Sequence, residues 1–308
     1  MKTLLLYPSF PDTFWSFKHA LKFIHKRSAF PPLGLLTVAA MLPANWPKRL
    51  IDLNVSPLTE KDMAWADCVF VSAMAVQRES AHNTITRCKE AGLKVIAGGP
   101  LFTDEHKNFG AVDHFVLNEA ELTLPPYLSD LERACPQRLY QTSEFADLSQ
   151  TPPPLWHLID MKRYAAMSIQ FSRGCPFNCH FCSVSRYLGN KFRQRSAQNV
   201  LAELADIKGQ FLAFLDDNLI GYSPESKART LELFNGMIKG GLNQKWWMQT
   251  SINAADDEHL IELAARAGCI FAFIGFETIS KESLRDMKKG INIKIGVQNY
   301  KNVVDVFH

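Results

Sequence analysis

Arg173-Gly174-Cys175-Pro176-Phe177-Asn178-Cys179-His180-Phe181-Cys182 places three thiols within eight residues, spaced x3 then x2. Thiolates at this spacing can wrap one face of an iron–sulfur cubane. Three ligands leave one iron open, the counterpart of the vacant position in a catalytic metal site. The run 167–171 reads as a strand, so the thiols fall beyond its carboxyl end, where an α/β barrel keeps its chemistry. Zinc is the competing reading, with His180 as fourth ligand. Zinc sites pair two ligand couples across a longer gap, and no second couple is present. Cys68, Cys88, Cys135 and Cys269 are isolated and read as ordinary core or surface thiols.

Downstream, the β/α rhythm continues. A helix with Val200, Leu204 and Ile207 on one face is followed by a strand, 211–215, ending in Asp216-Asp217-Asn218. Ser223 and Pro224 suit the cap and first position of the next helix. Strands at 246–251 and 270–276 follow, the second ending at Gly275-Phe276-Glu277, and Ser280 can cap the helix after it. Gln249 and Ser251 share one face of their strand, while Trp246 and Trp247 read as packing residues. This makes four β/α units, with the fourth strand an exposed apolar edge. The expectation is therefore a partial barrel over 164–308, incomplete at its C-terminus.

Upstream, residues 1–140 alternate short apolar strands (3–7, 49–53, 68–76, 94–97, 114–117) with helical stretches (33–42, 59–66, 79–91, 122–134). Cys68-Val69-Phe70-Val71 is apolar on both faces, as a strand covered by helices on both sides of a parallel sheet must be. That pattern reads as a doubly wound, Rossmann-like α/β domain with its ligand beyond the strands' carboxyl ends. Those ends carry an aromatic loop (8–17), Ser72-Ala73-Met74, Gly98-Gly99-Pro100 and Asn118-Glu119-Ala120-Glu121. A polar stretch and Pro152-Pro153-Pro154 follow; three prolines fit neither a helix interior nor a central strand, so 141–163 reads as a linker.

Composition sets the class. With 308 residues, 47% hydrophobic and 21% charged, the chain has the profile of globular domains, long enough for two cores. A net charge of +3 gives no electrostatic case for nucleic acid or an acidic membrane. No window approaches the ~20 apolar residues of a membrane span. Seven cysteines without a secretory signal point to thiols or a metal site, and the expected compartment is the cytoplasm.

Cys-x3-Cys-x-aromatic-Cys, with Phe181 as the aromatic, resembles the signature of the radical S-adenosylmethionine (SAM) superfamily. Ser172 to Cys179, the loop Tyr7 to Trp15, Gly98-Gly99-Pro100 and Asn118-Glu119-Ala120-Glu121 resemble its branch with an N-terminal cobalamin (B12) domain. That branch includes class B radical SAM methyltransferases, hopanoid methylases and the anaerobic magnesium-protoporphyrin cyclase. The resemblance implies a [4Fe–4S] cluster on Cys175, Cys179 and Cys182, with SAM chelated at the open iron and split to a 5′-deoxyadenosyl radical. It implies Phe181 beside the adenine, Asp216, Asp217 and Asn218 at the SAM ammonium, and Gly275 and Glu277 at ribose or ammonium. Carboxylates suit an ammonium because each accepts a charge-assisted hydrogen bond. The plainer readings are a solvated turn for 216–218 and a surface ion pair for Glu277.

For cobalamin, many such domains carry Asp-x-His-x-x-Gly after the first strand. Here Thr13-Phe14 follow Asp12 and no His sits in the loop, so cobalamin is expected without a histidine ligand. Ser72, Gly98 and Gly99 would let backbone approach its nucleotide tail, glycine having no side chain to obstruct it, and Pro100, Asn118 and Glu119 are expected to bind the cofactor with them. A doubly wound domain that has lost its ligand or binds another nucleotide is the alternative. The resemblance further implies a flavodoxin or ferredoxin as electron donor and a small substrate of lipid or isoprenoid-like character. Three functions follow: carbon methylation, cyclisation without methyl transfer, or an inactive cobalamin sensor. The three-cysteine motif argues against the sensor.

Overall fold

The computed structural model describes residues 1–207 and 210–308. It divides into two compact units, Met1–Ala146 with Gln150–Ala166, and Met167–His308 with Asp147–Ser149. The expected linker 141–163 therefore lies mostly inside the first unit. Trp156 and Tyr164 are buried there, and the Tyr164 hydroxyl donates to Asp52 at 3.1 Å.

The first unit holds β1 (Thr3–Tyr7), α1 (Lys18–Phe23), α2 (Leu33–Met41), β2 (Lys48–Asp52), α3 (Glu60–Trp65), β3 (Cys68–Ser72) and α4 (Arg78–Glu90). β4 (Lys94–Gly98), α5 (Pro100–Glu105), β5 (His114–Val116), α6 (Ala120–Glu132) and β6 (Leu139–Tyr140) complete it. The strands form one parallel sheet, ordered β2-β1-β3-β4-β5-β6. Successive residues of a strand face opposite sides, and both sides here are apolar. Leu4, Leu6, Val69, Val71 and Val95 pack with Met63, Ala81 and Ile85 of α3 and α4. Leu5, Phe70 and Ile96 pack with Leu35, Ala39, Leu124 and Tyr127 of α2 and α6.

The structure departs from the expected elements at three places. The strand expected over 68–76 ends at Ser72, because the Met74 amide turns to donate to Gln77 Oε1 at 2.8 Å and a helical turn follows. α5 begins at Pro100, where the missing amide hydrogen costs nothing. β6 lies inside the expected polar stretch; two residues give periodicity nothing to register.

The second unit holds β7 (Met167–Ile169), β8 (Ser172–Arg173), α7 (Val184–Leu188), β9 (Arg193–Gln194), α8 (Ala197–Asp206), β10 (Leu212–Phe214) and α9 (Pro224–Lys239). β11 (Trp246–Thr250), α10 (Glu258–Arg266), β12 (Cys269–Ile274), α11 (Lys281–Asp286), α12 (Gly290–Ile295) and α13 (Tyr300–Phe307) follow. Its main sheet is parallel, ordered β12-β11-β10-β7, and β8 pairs antiparallel with β9. Ser223 caps α9, accepting from the Ser226 amide at 3.1 Å, with Pro224 in the first turn. Trp246 is fully buried, and its indole donates to the Ala267 carbonyl at 2.9 Å. At the sheet edge, Ile270, Phe271 and Phe273 of β12 are exposed. Among the described residues, no helix is long and apolar enough to cross a membrane.

Candidate cofactor sites

The cysteine loop runs from β8 to α7, framed by the β8–β9 ribbon. Gly174 opens it at φ 89°, a conformation that favours glycine. A Cβ there would run into the Lys191 carbonyl oxygen and lie 2.9 Å from that of Leu188. Close backbone approach thus fixes the loop's entry. The Cys175 amide then donates to the Gly189 carbonyl at 3.1 Å, and the Cys182 amide to that of Cys179 at 3.1 Å.

All three thiols are free and half-buried. They lie close enough to act on one another: burial pushes the Cys179 thiol up, Lys289 pulls it down, and Cys182 and Cys175 add to the rise. Among the described residues, no three His, Cys, Asp or Glu side chains gather as they would around a single ion. Zinc at a Zn–S length of 2.3 Å would draw its thiolates to about 3.8 Å of each other, whereas a cubane holds them on separate corners. Three half-buried thiols on one loop are the donor set that a cubane takes.

Tyr222, which no periodicity singled out, stands against this loop. Its Oη lies 3.5 Å from Cys175 Sγ and 3.3 Å from Ser251 Oγ, and its ring meets Phe177 edge-on with centroids 4.9 Å apart. Burial and the neighbouring Cys175 push its hydroxyl well above the usual phenol range. Ser251 also accepts from Asn218 Nδ2 at 3.5 Å. Cys175, Tyr222, Ser251 and Asn218 thus form one polar chain across the ends of β10 and β11.

The three residues after β10 separate into different tasks. Asp216 is 1% exposed; its carboxylate accepts from the amides of Phe171 and Ser172 and from Ser172 Oγ at 2.5 Å. Asn218 is 2% exposed, and its Oδ1 accepts from the amides of Ile220 and Gly221 and from Thr250 Oγ1 at 3.1 Å. Asp216 and Asn218, expected at the SAM ammonium, have these polar atoms bonded at the strand ends. Asp217 is exposed.

Asp216 carries a pH signature. Burial lifts its carboxyl to about 6, against the lowering pull of Ser172 and Phe171. A folded value above the unfolded value of about 3.9 stabilises the fold fully only below about pH 4, and the contribution fades as pH rises through 6. Relative to Asp216→Asn, the iron-free wild type should lose about 2 kcal/mol of unfolding free energy between pH 4 and pH 7. Urea titrations at stepped pH check this. A difference that stays flat, or that favours wild type as pH rises, would mean the donors outweigh burial.

Beyond β12, Gly275 and Phe276 present their carbonyls to Nδ2 of the buried Asn292, both at 3.0 Å. Glu277 follows at φ 62°, and its carboxylate pairs with Lys289 at 2.7 Å. Lys289 Nζ also lies 5.5 Å from the ring centroid of Phe181, a half-exposed side chain. Phe181, Gly275 and Glu277 are thus brought to the cysteine loop with a cation, Lys289, that no sequence pattern marks. Lys288-Lys289 after a short helix looks like any solvated basic pair.

In the first unit, the strand ends meet as a backbone-lined edge. A Cβ on Gly98 would lie 2.6 Å from the Val116 carbonyl oxygen, and one on Gly99 2.7 Å from Ser72 Oγ. Thr103 of α5 donates to the Gly99 carbonyl at 3.1 Å, and its Oγ1 accepts from the Asn118 amide at 3.3 Å. Ser72, Gly98, Gly99, Pro100 and Asn118 are therefore neighbours. Glu119 turns inward, buried, accepting from the Ala146 amide at 2.6 Å. Gln77, unremarked in the sequence, is 1% exposed and donates to the Pro8 carbonyl, while the Phe10 amide donates to Asn54 Oδ1 at 2.8 Å. These bonds fix the loops after β1, β2 and β3, and leave Met74 and Val76 exposed beside them. An apolar, glycine-lined edge of this kind fits a large flat cofactor with a polar tail.

Comparison with known proteins agrees on both units. The radical SAM superfamily model matches residues 169–308, and the B12 binding domain model matches 25–128. An uncharacterized methyltransferase of Synechocystis sp. is 36% identical over 96% of this chain and 56% of its own length. The hopanoid C-2 methylase of Rhodopseudomonas palustris is 30% identical over 96% of this chain and 58% of its own. The chain thus spans less than two-thirds of the length of these curated relatives. In fold, the cobalamin-dependent SAM radical enzyme OxsB, solved with aqua-cobalamin and SAM, matches with a TM-score of 0.77 at 16% identity, over 100% of this chain and 48% of its own. The radical SAM methyltransferase TsrM of Kitasatospora setae matches at 0.73 and 14%, over 99% and 65%. The chain belongs to the radical SAM superfamily, in the branch that carries an N-terminal B12-binding domain.

Proposed function

We propose that the chain is the cofactor-bearing part of a cobalamin-dependent radical SAM methyltransferase that methylates an unactivated carbon of a small, apolar substrate. One observation carries the reading: three free, half-buried thiols on one loop beyond β8, next to the carboxyl ends of a parallel sheet. Cys175, Cys179 and Cys182 would hold the [4Fe–4S] cluster. When bound, cluster and SAM supply a carbon-activating radical, and cobalamin supplies a methyl carrier. The protein's own contribution is placement and exclusion of water. Phe181 offers a face for the adenine, Asp217 an exposed carboxylate for the ammonium, and Gly275 and Glu277 a turn for the ribose. Asp216 and Asn218 hold the strand ends beneath them. In the first unit, Ser72, Gly98, Gly99, Pro100 and Asn118 would line the cobalamin tail, without a histidine ligand, and Glu119 would brace them from inside. The methylase relatives support methyl transfer over cyclisation, and the hopanoid methylase supports an isoprenoid-like substrate. A flavodoxin or ferredoxin would supply the electron.

The deciding experiment uses SAM labelled on its methyl group, with the reconstituted protein, a low-potential reductant and candidate isoprenoid lipids. The expected result is 5′-deoxyadenosine together with S-adenosylhomocysteine in step with product, and label on a product carbon. Deoxyadenosine and product without S-adenosylhomocysteine or label would establish the cyclase reading instead.

A further inference from the structure

We propose that Lys289 and Glu277 are a paired charge device that sets the reduction potential of the cluster on Cys175, Cys179 and Cys182, Lys289 raising it and Glu277 restraining the rise. The inference rests on the cluster reading above and goes beyond it, because it concerns electron entry rather than SAM or substrate.

The pair is built into the fold. Lys289 Nζ is held 2.7 Å from the Glu277 carboxylate, with side-chain exposures of only 13% and 28%. The same ammonium lies 5.5 Å from the ring centroid of Phe181, the residue between His180 and Cys182. Backbone ties the two segments together: the His180 amide donates to the Met287 carbonyl at 3.0 Å, two residues before Lys289. Gly275 makes room, since a Cβ there would lie 2.7 Å from Glu277 Oε1 and 3.0 Å from Lys289 Nζ. Glu277 adopts φ 62°, and Asn292 pins the two carbonyls before it.

The physical consequence follows from charge alone. A one-electron reduction of the cluster by a flavodoxin- or ferredoxin-class donor adds one negative charge, and no bond forms or breaks. A nearby cation favours the reduced form and a nearby anion disfavours it; net charge near a cluster is one of the levers on its potential. At an effective dielectric constant of about 20, one unit charge within about 10 Å changes the reduction equilibrium by at least about tenfold.

The test compares wild type, Lys289→Met, Lys289→Arg and Glu277→Gln, each reconstituted anaerobically and assayed for iron and sulfide. Redox titration without SAM, read by the electron paramagnetic resonance signal of the reduced cluster, then gives each potential. Lys289→Met should be about tenfold less reduced at a given poise, about 59 mV more negative. Glu277→Gln should move the opposite way, and Lys289→Arg should stay near wild type. Lys289→Arg keeps the charge while changing the packing, so it separates a charge effect from structural damage. If Lys289→Met takes up no cluster, the positive shift of Glu277→Gln and the unchanged Lys289→Arg still decide. Loaded variants with equal potentials, or both shifting the same way, overturn the inference while leaving the cluster reading intact. A wild type that takes up no iron overturns both.

Discussion

Anaerobic reconstitution with iron and sulfide will load about four irons per chain, and Cys179→Ala will remove both the iron and the charge-transfer absorption. With three ligands for a cubane, none is spare. Gly174→Ala should be nearly as damaging although it touches no ligand. The residue sits at φ 89°, and its Cβ would meet the carbonyl oxygens of Lys191, Leu188 and Gly189 at once, the latter two at 2.9 and 3.1 Å. Backbone oxygens cannot swing aside as a side-chain tip can, so the loop entry must move, and Cys175 is the next residue. The expected result is iron uptake lowered several-fold with the far-ultraviolet circular dichroism of wild type. Full loading of Gly174→Ala would show that the loop tolerates the shift. Zinc retained in place of iron would sink the cluster reading itself.

Much of this was legible in the sequence for definite reasons. The strands of both units are short apolar runs between helical periods, and β1, β3 and β4 fall within a few residues of their expected positions because burial on both faces leaves few alternatives. The caps Ser223 and Ser280 were readable because the N-cap bond is local, one side chain reaching an amide three residues on. The cysteine spacing carried the site. What escaped depends on contacts distant in sequence. Tyr222 meets Cys175 across 47 residues, Gln77 meets Pro8 across 69, and Asp216 meets Ser172 across 44. Asp216-Asp217-Asn218 illustrates the limit. Sequence places all three at a strand end, but only the fold distinguishes the two that brace the loops from the one that faces solvent.

Glu203→Gln should cost about 3–5 kcal/mol of unfolding free energy, the largest stability loss expected of a single side-chain change that keeps shape. Arg195 Nη1 and Glu203 Oε2 are 2.6 Å apart, with side-chain exposures of 7% and 0%. Glutamine leaves the guanidinium buried without a counter-charge, and an uncompensated buried charge is what such single replacements expose. Urea unfolding of the metal-free chain should show a lower midpoint with an unchanged slope. The pair's position suggests why an apolar pair does not stand in its place. Arg195 Nη1 also donates to the Gln170 carbonyl at 3.0 Å, and the Arg195 amide donates to that of Phe171 at 2.8 Å. Asp216 grips the next peptides, the amides of Phe171 and Ser172, from the other side. The segment entering the cysteine loop is thus held by its carbonyls through Arg195 and by its amides through Asp216. Replacing both partners with apolar residues, Arg195→Met with Glu203→Leu, should recover most of the stability, since well-packed hydrophobes often match a buried ion pair. It should not recover iron uptake, because methionine offers the Gln170 carbonyl no donor. A double variant that regains both would reduce the pair to packing; one that regains stability alone would identify Arg195 as a positioning residue for the cluster loop.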